Sequence, residues 1–288
     1  MVKLTSRIGE LHIGHGQPTV LINDQLRVMD QSADVLAELR AGRIDRLLEL
    51  ARRGQSVGVD MVDILVNHED LDEVDLLPRI AVAVHNTIGC PIALDSRHPE
   101  ALAAALEALQ PYKALINSVT AEMDSIETLL PIAKAYGAAV VAMPIGHRHG
   151  LPRTVSARIE ELEIFLEATE RHGIARDDII VDTICLASSA EPDSMRVTLE
   201  TTRAVSQMGL ATMLGIGNAG FGMPLPTRID LAYLIAAIPW GLNAALVDPA
   251  TEGLIESVRA IDFLTNSDPY GLRYIAHYRA RHKPESST

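Results

Sequence analysis

Cysteine is scarce in this chain. Its 288 residues hold two, Cys90 and Cys185, too few for a disulfide framework, which points to a reducing compartment. Aromatic residues make up 3% of the chain, too few for a platform on which bases or sugars stack. Positive charge is short as well. Lys and Arg number 25 against 38 Asp and Glu, a formal net charge of −13. No basic stripe exists to neutralise phosphates, so nucleic acid is excluded as a partner. The longest apolar run, Leu231–Val247, is broken by Pro239, Gly241 and Asn243, so it reads as a buried helix and strand rather than a membrane span. The opening residues carry no charged-then-apolar leader, so no signal peptide is expected. An acidic, cytoplasmic enzyme with no membrane partner fits these absences.

What is present is one repeated pattern. Ile179-Ile180-Val181 runs straight into Asp182, as in a strand buried on both faces that ends on a charge. Val59–Val66 carries Asp63, and Cys90–Leu94 ends on Asp95. Tyr112–Ile116 ends on Asn117, Ala211–Gly217 on Asn218, and Asn243–Val247 on Asp248. Parallel sheets present chemistry at the C-terminal ends of their strands. These runs therefore predict a ring of polar groups around one pocket.

Amphipathic helical segments alternate with the strands. Asp45–Val57 places Leu47, Leu48, Ala51 and Val57 on one side. Pro99 opens an Ala/Leu-rich segment, where proline suits a first helical position. Strands are predicted at Thr19–Asn23, Met61–Val66, up to Asp95, up to Asn117, and at Ala138–Met143, Ile179–Thr183, Thr212–Ile216 and Ala244–Val247. Eight strand–helix units favour a (β/α)8 TIM barrel over an open sheet. The whole chain, 1–288, reads as one barrel domain, with residues 1–17 a short N-terminal β-hairpin and 279–288 a flexible tail. No Gly-x-Gly-x-x-Gly follows an early strand, which weakens a dinucleotide-binding alternative.

Asp95 and Asn117 are 22 residues apart, one strand–helix repeat, and Asn218 follows Asp182 by 36. A carboxylate accepts two parallel hydrogen bonds from an amidine-like edge, and an amide both donates and accepts. Two carboxylates with two amides suit a flat, nitrogen-rich heterocycle better than a phosphate. The plainer alternative is capping: Asp95 for the helix that opens near Pro99, and Asn117 in the turn before Thr120. Among other groups, His147-Arg148-His149 lacks a third zinc ligand nearby and reads as a mobile loop. Glu160, Glu161, Glu163 and Glu167 read as a solvated helix face. No metal site is expected.

Leu94-Asp95-Ser96, Leu115-Ile116-Asn117-Ser118 and Val181-Asp182 resemble the pterin-binding barrels. That family includes dihydropteroate synthases and methyltetrahydrofolate:corrinoid methyltransferases. The resemblance runs from about Thr19 to Leu264. Leu214-Gly215-Ile216-Gly217-Asn218 and Leu242–Asp248 point to the methyltransferase branch. The synthases carry a Ser-Arg-Lys pattern at strand seven, and this chain has Gly217-Asn218-Ala219 there. The resemblance implies that Asp95, Asn117, Asp182 and the second-strand Asp63 bind the pterin, and that Asn218 is the catalytic amide near N5. It also implies tetrahydrofolate or methyltetrahydrofolate as substrate, a corrinoid (cobalamin) on a partner protein as the other, and a homodimer. A condensing enzyme or a non-catalytic binding subunit are its alternatives. Two positions depart from the family: Arg27 and Leu65 stand where asparagines are usual. Arg27 is expected either to pair with Asp63 or to meet an anionic group of the ligand. The direction of methyl transfer is not implied.

Overall fold

The computed structural model describes residues 1–281. Eight parallel strands close into a barrel in the order β10-β3-β4-β5-β6-β7-β8-β9. They are β3 (Val20–Arg27), β4 (Met61–Leu65), β5 (Ile92–Asp95), β6 (Leu115–Thr120), β7 (Ala139–Met143), β8 (Ile179–Asp182), β9 (Ala211–Gly215) and β10 (Ala244–Val247). Two antiparallel strands, β1 (Val2–Ser6) and β2 (Gly9–Ile13), form the expected N-terminal hairpin. The predicted TIM barrel is thus the observed fold.

Strand parity builds the core. Val20, Ile22, Met61, Ala93, Leu115, Ala139, Ile180, Ala211 and Met213 form one buried cluster, which also takes in Val2, Leu4 and Ile13 of the hairpin. The barrel interior is therefore a packed core, and the hairpin plugs its floor at the N-terminal strand ends. Thr5 and Lys113 exchange hydrogen bonds there, with Lys113 N–H donating to Thr5 Oγ1 at 2.7 Å. The alternate strand residues, such as Ile64, Leu94 and Ile116, pack outward against the helices. Each Leu or Ile fully withdrawn from water contributes about 1.5–3 kcal/mol.

The helices begin where local chemistry allows. They are α1 (Ala33–Arg40), α2 (Asp45–Val57), α3 (Glu73–Ile88), α4 (Pro99–Ala108), α5 (Met123–Tyr136), α6 (Val155–Arg171), α7 (Ser194–Gln207), α8 (Pro226–Ala237), α9 (Leu254–Leu264) and α10 (Leu272–Arg281). Asp72 caps α3 by accepting the Val74 and Asp75 N–H groups, and Gly89, at φ 74°, ends it in the left-handed region. Thr154 caps α6 through the Ala157 N–H.

Two expectations need correction. The tail expected from Arg279 is still helical there: α10 runs to Arg281, anchored by Arg273 to Asp60 at 2.6 Å. Residues 282–288 lie outside those described. β6 does not stop at Asn117. It slips register between Ile116 and Val119 and pairs with β7 through Thr120, a local bulge of the kind that re-aims side chains at barrel rims. The ends of the barrel meet where Asp262 of α9 accepts the backbone N–H of Thr19, and its hydroxyl at 2.7 Å.

Candidate active site at the barrel mouth

The parity that fills the floor with apolar groups puts acids at the rim. Two residues beyond the inward-facing Met61, Ala93, Leu115 and Ile180 come Asp63, Asp95, Asn117 and Asp182. The same step from Ile22 reaches Asp24 and, from Leu246, Asp248. One physical rule, alternation along a strand, thus delivers a ring of carboxylates and an amide to the C-terminal face.

Three of the predicted residues sit together. Asn117 Nδ2 donates to Asp63 Oδ1 at 3.0 Å, bridging β6 to β4 across β5. Asp63 Oδ2 is buried and has no partner among the described residues. Burial, then the nearby Asp95, pushes the Asp63 carboxyl well above the usual range, against the pull of Asn117 and Arg27. Asp95 rises to about 6, mainly through burial, although Arg27 and Arg97 pull it down. A cleft of about 550 Å³ opens beside Asp95 and is lined by Arg27, Leu65, Asn67, Glu73 and Arg97. That volume suits a small ligand.

Arg27 lies at this cleft but does not pair with Asp63. Its Nε donates to Asp30 at 3.0 Å, within the 3-10 turn Val28–Asp30 that continues β3. The capping alternative also fails for two residues. His98 caps α4 through the Ala101 N–H, and Ser96 Oγ accepts the His98 N–H, with no part for Asp95. Asn117 is turned to Asp63, not to its own turn.

Asp182 stands three strands round the rim from Asp95. Its Oδ1 accepts the Ile184 N–H at 2.8 Å, so one oxygen is committed to its own loop. Burial lifts its carboxyl to about 6, less the help of that N–H and of Arg158. Asn218 ends the 3-10 turn Ile216–Asn218 that follows β9. Its side chain is exposed, with only a long 3.4 Å bond to Gly215 O. It makes no direct bond to the carboxylates.

Asp24 is a rim residue that the sequence patterns above do not single out, although the two-residue step from Ile22 leads to it. Burial and the adjacent Asp248 push its carboxyl up to about 6. Glu161 also departs from expectation. Its side chain is fully buried and accepts the His149 N–H at 2.7 Å. The charge run is therefore not all solvated. The His147–His149 loop, expected to be mobile, is tied down: Gly146 and Gly150 pair across it, and His149 Nε2 lies 3.0 Å from Glu160.

The arrangement can present several acceptors, of proton affinity near neutrality, to a ligand rich in N–H donors. Such a ligand supplies the partners these buried oxygens lack. No helix among the described residues is long and apolar enough to cross a membrane.

A family described as pterin binding enzyme matches residues 33–248. The chain is 24% identical over 227 residues to a methylcorrinoid:tetrahydrofolate methyltransferase of Eubacterium limosum, covering 77% of this chain and 83% of that one. It is 27% identical over 216 residues to the methionine synthase of Mycobacterium tuberculosis, covering 70% of this chain but only 18% of that longer protein. Among solved structures, a 7,8-dihydropteroate synthase from Vibrio fischeri superposes with a TM-score of 0.70 at 20% identity, covering 94% of this chain and all of that one. A dihydropteroate synthase from Coxiella burnetii in complex with pteroic acid gives 0.68 at 18%, covering 92% and 99%. These structural likenesses speak for the fold alone.

Proposed function

The chain belongs to the family of pterin binding enzymes, and from that premise we propose that it moves a methyl group between N5 of tetrahydrofolate and the cobalt of a corrinoid carried by a partner protein. The observation that carries this reading is Asn218, an exposed amide in the turn that follows β9, held only by a long bond to Gly215 O, where a condensing enzyme of this family would place a lysine. Holding the pterin falls to the carboxylates. Asp95, Asp63 and Asp182 accept N–H groups of its amidine-like edge, and Asn117 holds Asp63 in place while offering its own carbonyl oxygen.

A methyl group leaves a tertiary amine reluctantly, because N5 must take back the bonding electron pair. A donor held at N5 lowers that barrier, in the manner of a general acid. Asn218 Nδ2 is the donor in the direction that demethylates the folate. In the reverse direction the same amide orients N5 for attack. The corrinoid supplies the cobalt nucleophile or the methyl donor. The barrel supplies orientation and a pocket partly closed to water.

The test is to incubate the protein with cob(I)alamin and methyltetrahydrofolate, and separately with methylcobalamin and tetrahydrofolate, and to follow the visible spectrum of cobalt. Turnover in either arm is expected. Tight folate binding without any change at cobalt would reduce the chain to a binding subunit. Condensation of a pterin pyrophosphate with p-aminobenzoate would reassign it to the synthases.

A further inference from the structure

One buried cation has no part in the chemistry proposed so far. Arg158 lies in the first turn of α6 and is 1% exposed. Its Nε donates to Pro152 O at 3.2 Å. Nη1 donates to Thr183 O at 2.6 Å, Ile184 O at 3.0 Å and Thr198 Oγ1 at 3.2 Å. A single guanidinium thus ties the loop before α6, the loop after β8, and α7. Two of its nitrogens, Nε and Nη1, share these acceptors, while Nη2 is buried with no partner among the described residues; a lysine head offers one nitrogen in their place.

The loop it grips is strained. Ile184 adopts φ 62°, a left-handed conformation that a β-branched residue rarely holds unless its surroundings enforce it. Both of its backbone polar groups are engaged. The N–H donates to Asp182 Oδ1 at 2.8 Å, and the carbonyl accepts from Arg158 and from Thr198 Oγ1 at 2.7 Å. The Ile184 side chain is buried as well. If the carbonyl were released, relaxation to negative φ would swing the N–H away from Asp182.

We propose that Arg158 is a positioning residue for Asp182: it holds Ile184 left-handed, so that the Ile184 N–H occupies Oδ1 and Oδ2 is left to receive the donor edge of a pterin-type ligand. The ligand half of this statement rests on the proposed function, and the positioning half does not. The titratable groups around Asp182 are few. Arg158 faces it from α6. Cys185 lies on its own loop, its thiol pushed up to about 12 by burial. Tyr233 and Asp230 stand beyond Cys185 on α8. Arg158 is the cation that acts on Asp182, and it also acts on it through Ile184.

The experiment uses the full-length, ligand-free chain with carboxyl-labelled aspartate, the Asp182 resonance being assigned by its loss in Asp182→Asn. In the parent, burial is expected to place the Asp182 midpoint at about 6. In Arg158→Met, its midpoint moves up by about one pH unit, because a charge and an N–H bond are both lost. The Ile184 amide proton then exchanges at least about tenfold faster. Arg158→Lys keeps the charge but, with one nitrogen, cannot reach Pro152 O and the acceptors of Nη1 together, so exchange quickens while the midpoint moves less. Should Arg158→Met fail to fold, the lysine variant reads the same two quantities. A folded variant with an unmoved Asp182 midpoint and unchanged Ile184 exchange would overturn the proposal.

A second arm titrates tetrahydrofolate. Arg158→Lys is expected to weaken binding roughly tenfold, and to add nothing in an Asp182→Asn background. Losses that multiply would also overturn it. If the parent does not bind tetrahydrofolate, the proposed function fails, and the resonance of Asp182 still decides the role of Arg158.

Discussion

Asp182→Asn should make the protein more stable and a poorer binder at once. Burial raises the Asp182 carboxyl from 3.8 to about 6 in the folded chain. The folded state therefore holds its proton more tightly than the unfolded state. The stability this contributes is full below about pH 4 and is lost as pH rises through about 6. By pH 7.5 the ionised group costs about 3 kcal/mol, since each pH unit separating the folded and unfolded midpoints is worth about 1.4 kcal/mol, and this is net of its attraction to Arg158. Asparagine carries no charge in either state and keeps an oxygen for the Ile184 N–H. At pH 7.5 the variant should melt about 6 °C above the parent, taking roughly 2 °C per kcal/mol for a chain of this size. At pH 4.5 the two should melt within about 1–2 °C of each other, as the linked protonation fades. Binding moves the other way. The amide has one acceptor oxygen and turns an N–H2 toward the ligand's own donors. Losing charge-assisted bonds worth about 2–4 kcal/mol weakens tetrahydrofolate roughly 30- to 1000-fold. Scanning calorimetry at both pH values and a calorimetric titration measure these quantities. A variant that melts below the parent at pH 7.5, or that binds tetrahydrofolate as well, refutes the reasoning.

Other perturbations probe other parts of the molecule. Asn218→Ala should slow methyl transfer on the order of 100-fold while changing folate affinity by less than about threefold, as expected for a donor that matters most in the transition state; equal losses in both would remove its special role. Glu161→Ala removes the acceptor of the part-buried His149 N–H and should cost about 1 kcal/mol, with faster amide exchange at His149, whereas Glu161→Gln should retain most of both. Gly241→Ala should destabilise by about 1–3 kcal/mol, since φ is 106° and a Cβ would lie 2.7 Å from Ser206 Oγ; an unchanged urea midpoint would show that this turn has slack.

The barrel and its rim were legible for one reason: both rest on parity, which is a local property of the chain. Asp63, Asp95, Asn117 and Asp182 each sit one inward step beyond an apolar inward residue, and no distant contact is needed to see it. What sequence did not show depends on distant partners or on weak patterns. Glu161 looked solvated among its charged neighbours because the N–H that it meets belongs to a loop 12 residues away. Arg27 found Asp30 rather than Asp63 because β3 runs directly into a tight turn. α10 is not legible in the same way because it buries no residue and so belongs to no strand–helix repeat of the barrel. Arg158 could not be singled out, since its role is set by carbonyls on two other elements.

The clasp between Thr19 and Asp262 joins residues 243 positions apart, and β3 hydrogen-bonds to β10, the last stave to be made. During synthesis β3 must therefore wait, one margin bare, until some 220 further residues have left the ribosome, at 5–20 residues per second a delay of roughly 10–40 s. Throughout that interval the nascent sheet offers two open edges to any extended neighbour. A ribosome stalled before Ala244 would hold an unfinished ring, sticky at both margins and a natural client for chaperones.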